Sequence, residues 1–150
     1  MKQGVRSVAV VCGAVAVSLV LTATIGYVTA RSADTRVMMT VGADVRSGAN
    51  VPPDRVDAFW NSLERGRFRM SWVYCPTVAI TVGAFVGFVT LTSPTSLAAL
   101  GIAPFAAVFA FMRNRPAERV GFFLLYLAVA AVVAYFSRVW RTALHERAGR

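Results

Sequence analysis

Three long stretches of the chain carry no charged side chain: residues 7–30, 70–112 and 120–137. Lipid offers the backbone no hydrogen-bonding partner, so a segment that enters a bilayer folds as a helix. At ~1.5 Å of rise per residue, about 20 apolar residues cross the hydrocarbon core. The first and last stretches each predict one crossing, and the middle one holds two joined by a tight turn. The expected fold is all-α, an integral membrane four-helix bundle forming a single membrane domain over residues 1–150. Its spans lie near 7–30, 72–91, 94–112 and 120–139, with an extramembrane loop at 31–71.

The loop has a pattern of its own. Val56, Phe59, Trp60 and Leu63 fall at i, i+3, i+4 and i+7, while Arg55, Asp57, Asn61, Glu64 and Arg65 take the opposite face. This predicts a short amphipathic helix over about 54–65, capped by Asp54 and stopped at Gly66. Its apolar stripe, tied to the next span by Arg67, Phe68 and Arg69, suits the headgroup plane or a partner, with Arg65, Arg67 and Arg69 as part of that face, and Trp72 and Tyr74 supply an aromatic belt. Packing on the protein's own spans is the bland alternative. In residues 36–46, Val37, Met39 and Val41 alternate ahead of Gly42, Ala43 and Asp44, a weak signal for a short strand and turn that Met38 spoils. Residues 47–50 with Pro52 and Pro53 read as linker.

Within the spans the informative residues are small ones. Ala79, Gly83 and Gly87 lie four apart on one face of the second span, where small side chains let two helix backbones approach closely. Ala99, Ala103 and Ala107 repeat the spacing in the third span, so those two faces are expected to meet. Thr92 and Ser93 form the turn between them, Ser93 capping a helix that begins at Pro94. Pro104 interrupts the hydrogen bonding of that helix and should bend it. The fourth span carries Ala130 and Ala134 and ends in Tyr135, Phe136 and Trp140 at an interface.

Composition sharpens this picture. Hydrophobic residues make up 57% of the chain and the mean hydropathy is +0.59, too apolar for an ordinary soluble domain. The net charge of +9 comes from fifteen Arg and one Lys spread over every polar segment. No basic stripe or nucleic-acid motif accompanies them, so anionic lipid headgroups, not nucleic acid, are the expected partner of that charge. The central hairpin has Arg65, Arg67 and Arg69 at one foot and Arg113, Arg115 and Arg119 at the other. Basic feet belong in the cytoplasm, which puts both termini outside a cell membrane; Lys2 and Arg6, a normal cytoplasmic start, argue the other way. The 7–30 run, which ends in Val28, Thr29 and Ala30, also has the outline of a secretory signal, although 24 uncharged residues fit an uncleaved anchor better.

Chemistry is sparse. The four spans contain no Asp, Glu, Lys, Arg or His, which disfavours proton or ion coupling. Cys12 and Cys75 start successive antiparallel spans, too far apart for a disulfide. His145 is the single histidine, and no metal, cofactor or nucleophile–base set can be nominated. The expected function is therefore non-enzymatic: helix–helix and membrane-surface contacts made as a subunit or accessory of a membrane assembly, with another membrane protein or a second copy of the chain as partner. The alternative is a homo-oligomeric channel or transporter component lined by Ser18, Thr77, Thr81 and Thr90, with Pro104 allowing movement. A third class, an interfacial lipid enzyme, would rest on Asp54, Asp57 or Glu64.

Overall fold

A computed structural model describes residues 2–90, 94–111 and 116–148. Among the described residues every regular element is a helix: α1 (Lys2–Ala30), α2 (Ala33–Arg46), α3 (Pro53–Arg69), a π-helical segment (Met70–Tyr74), α4 (Cys75–Val89), α5 (Pro94–Phe111) and α6 (Pro116–Ala148). Three helical stretches are long and apolar enough to cross a membrane: Val5–Ala30, Pro53–Val89 and Pro116–Ala148. These mark the chain as a membrane protein. Helix α5 is as apolar but shorter, its 18 residues covering ~27 Å. The expected turn at Thr92 and Ser93, the end of the third span at Met112, and Arg113 and Arg115 lie outside the described residues.

Contacts divide the chain into two compact units, Thr22–Tyr74 and the remainder. In the remainder, α4, α5 and α6 pack on one another. Their core is built from small and β-branched side chains: Val78, Ala79, Val82 and Val86 of α4, Ala98, Ile102 and Ala106 of α5, and Ala130 and Ala134 of α6. Tyr126 is the largest fully buried side chain there. Ala14 and Ser18 are the buried residues of α1, and Ala14 meets α5 at Gly101, where an added Cβ would lie 2.5 Å from the Ala14 methyl.

The sequence paired the wrong faces. Gly83 and Gly87 close on α6, not on the Ala99, Ala103, Ala107 face of α5. A Cβ on Gly83 would sit 2.5 Å from the carbonyl oxygen of Ala130, and one on Gly87 would collide with the carbonyl of Ala134. Backbone-to-backbone approach of this kind is what the two glycines permit, and the alanines spaced four apart on α6 are its complement. Ala99, Ala103 and Ala107 are only half-buried, whereas Ala98, Gly101, Ile102, Phe105 and Ala106 are buried. The packed face of α5 is thus rotated from the alanine stripe, because the bulk of Ile102 and Phe105 gains more from burial than three methyl groups.

The Thr22–Tyr74 unit contains a helical hairpin of α2 on α3. The expected strand over 36–46 does not form; those residues belong to α2. Ser32 caps this helix by accepting from the Thr35 backbone N–H at 3.2 Å, Asp34 sits in its first turn and Arg46 in its last. Beyond Arg46, Gly48 takes φ 74°, its N–H donates to the Val45 carbonyl and that of Ala49 to the Asp44 carbonyl, the double bond of a Schellman ending. Alternation of Val37, Met39 and Val41 misled because Val37, Met38 and Val41 form the covered helical face. The Thr35 hydroxyl donates to the Thr29 carbonyl at 2.7 Å, satisfying one of the last acceptors of α1.

Helix α3 also differs from expectation at both ends. It begins at Pro53 with Pro52 as cap residue, so Asp54 lies in the first turn instead of capping it. It does not stop at Gly66, and helical backbone runs unbroken from Pro53 to Val89. Glycine in a helix costs only about 1 kcal/mol relative to Ala, which the apolar residues on either side outweigh. The one irregularity is the π-helical turn just ahead of Pro76. Proline has no N–H for the carbonyl four residues back and its ring clashes with that carbonyl, and a widened turn relieves the clash.

Candidate functional site

The polar features of the chain concentrate on the α2–α3 hairpin. Asp34, in the first turn of α2, accepts from Arg65 through Nε at 3.1 Å and Nη2 at 2.8 Å, and its other oxygen meets Arg69 at 3.2 Å. At the opposite end of the hairpin Arg55 pairs with Asp44 at 2.8 Å. Two antiparallel helices are therefore pinned at both ends by charge. Arg65 also donates to the hydroxyl of Ser62, which is buried. The Arg65 hydrogen bonds, above all, hold the Asp34 carboxyl below its ordinary value; lost hydration opposes this, and the positive charges of Arg65 and Arg69 reinforce it.

This arrangement changes what the basic foot offers. Of Arg65, Arg67 and Arg69, the first and last share one carboxylate, and Arg67 is exposed. Along the expected apolar stripe, Val56, Phe59 and Leu63 are half-buried, while Trp60 stays 57% exposed with its ring edge-on to Phe59 at 5.5 Å. Phe68 and Trp72 are exposed as well. Trp60, Phe68 and Trp72 are thus the exposed aromatic side chains along α3 and the π-helical segment. Asp54, Asp57 and Glu64 are exposed.

Three of the hydroxyls named for a permeation path bond back along their own segments. Ser18 donates to the Ala14 carbonyl at 3.0 Å, Thr81 to Thr77 at 2.8 Å and Thr90 to Val86 at 2.7 Å, each within its own helix. Ser18 and Thr90 are buried and Thr81 is exposed. Cys12 and Cys75 are free thiols, the first exposed and the second buried. Among the described residues no three His, Cys, Asp or Glu side chains come together as a metal site would require.

Sequence reasoning missed two pairings, Asp34 with Arg65 and the Gly83, Gly87 pair with Ala130 and Ala134. Asp34 lies 31 positions from Arg65, and no local spacing links them without knowing that α2 is a helix. Ala130 and Ala134 carried a readable signal, the same four-residue interval as Gly83 and Gly87. Comparison with protein-family models, curated proteins and solved structures returns no match for this chain.

Proposed function

We propose that this is a small non-enzymatic integral membrane protein that acts by contact, as a subunit or accessory of a membrane assembly, with another membrane protein or a second copy of itself as partner. The observation that carries this reading is α1. Only 11% of its most apolar stretch is buried within the chain, so nearly the whole helix is left for lipid or for another protein.

The contact surface differs from the one the sequence nominated. Gly83 and Gly87 are taken up by α6, and Val56, Phe59 and Leu63 are half-covered, whereas most of α1, Trp60 and Phe68 stay exposed. Four crossings remain the preferred topology, with α5 as the short third one. Both termini then lie outside a cell membrane and the α2–α3 hairpin lies in the cytoplasm, where its seven Arg between residues 31 and 71 follow the positive-inside bias.

Purification of a tagged chain in mild detergent, with mass measurement of the intact particle, tests the proposal. A stoichiometric second polypeptide or a defined homo-oligomer is expected. A bare monomer carrying only lipid would contradict it.

A further inference from the structure

Helix α6 is 33 residues long, ~50 Å, and outruns a ~30 Å hydrocarbon core. Its uncharged run ends at Ser137, and the described residues beyond it carry Arg138, Arg141, His145 and Arg147 against one acid, Glu146. These are not scattered. At about 100° per residue, Arg138, Arg141 and His145 fall within a sector of about 60°. The opposite side carries Phe136, Val139, Trp140, Ala143 and Leu144. That side continues the outward face of the span, and among the described residues it stays open: Phe136 is 64%, Trp140 67% and Leu144 49% exposed.

The basic sector continues the packed face of Ala130 and Ala134 past the end of α4. There Arg141 donates from Nη1 to the carbonyl of Phe88, in the last turn of α4. A cation at a helix C-terminus is favourable, and that bond fixes the guanidinium in place. Its other N–H groups remain available, since the side chain carries five.

We propose that this end of α6 binds anionic lipid. Trp140 and Leu144 seat at the boundary between acyl chains and headgroups, and Arg138, Arg141 and Arg147 hold the lipid phosphate. The charge argues for the occupant: a protein partner for an apolar stripe has no need of Arg138 and Arg141 along the adjoining face and Arg147 at its end, whereas a basic amphipathic helix end is matched to a negatively charged headgroup layer. A long Arg stem lies along apolar surface while its head reaches the phosphate, so Arg147, at the end of the stripe, also contributes. This site is separate from α1 and holds whichever partner α1 meets.

The test uses the full chain with Trp60→Phe and Trp72→Phe, leaving Trp140 as the sole tryptophan. It is reconstituted in bilayers containing equal mole fractions of phosphatidylglycerol and phosphatidylcholine, with bromine on the acyl chains of one or the other. Trp140 emission should be quenched by both, with phosphatidylglycerol favoured by about fivefold, the enrichment expected from one Arg near an anionic surface. Arg138→Gln with Arg147→Gln should reduce that preference and leave the Arg141 bond to α4 intact. Lysine at the same two positions should restore it. Equal quenching by the two lipids would reduce the surface to unspecific apolar contact and overturn the proposal. Absence of quenching by either would overturn it too, showing the stripe covered by protein or held in water.

Discussion

Single atoms decide the packing of α4 on α6. Gly83 faces a backbone carbonyl, not a flexible side chain, so nothing can swing aside to admit a larger residue. Gly83→Leu should force the helices apart and lower stability by about 1–3 kcal/mol or more, read as an earlier unfolding transition in detergent. Gly26 has nothing within 4 Å of its would-be Cβ, and Gly26→Ala serves as the tolerated control. Asp34 supplies a second prediction at this scale. Its pKa is depressed in the folded chain, so its stabilisation is present above the ordinary carboxylate pKa of ~3.9 and is lost as pH falls through the lower native value. The melting-temperature gap between wild type and Asp34→Asn should be full at neutral pH and close below about pH 4. A gap that persists in acid would show that the contact depends on something other than the carboxylate charge.

At the scale of elements, α2 and α3 depend on two glycines with opposite roles. Gly48 sits at φ 74° and ends its helix, while Gly66 lies inside a continuing one. Gly48→Ala should therefore destabilise by about 1 kcal/mol, and Gly66→Ala should stabilise by a similar amount. Circular dichroism melts of the two variants in detergent would check the opposite signs. The same comparison explains what was legible. Uncharged runs located the apolar helices because lipid imposes one rule along the whole run. The amphipathic period at Val56, Phe59 and Leu63 likewise exposed α3. Helix α2 was hidden because Val37, Met39 and Val41 satisfy a strand period as well as Val37, Met38 and Val41 satisfy a helical one, and only the Ser32 cap and Gly48 ending separate the two. The seam between Gly83, Gly87 and the Ala130, Ala134 pair is a statement about which elements meet, and spacing within one helix does not contain it.

For the whole molecule, the proposed orientation rests on the arrangement of charge. Basic residues gather at the feet of the central hairpin and on the α2–α3 unit, and the carboxylate of Asp34 weakens their bias little because acids count for little in orientation. A reporter fused after Arg150 should behave as non-cytoplasmic, and a clear cytoplasmic signal would reverse the orientation. Beneath orientation lies the more basic claim that lipid, not water, surrounds α1, α4 and α6. The direct measurement is extraction of cell membranes with alkaline carbonate followed by detergent. The chain should stay with the membrane in carbonate and leave it only with the detergent; release into the carbonate supernatant as a monodisperse, folded species would contradict the account at its root.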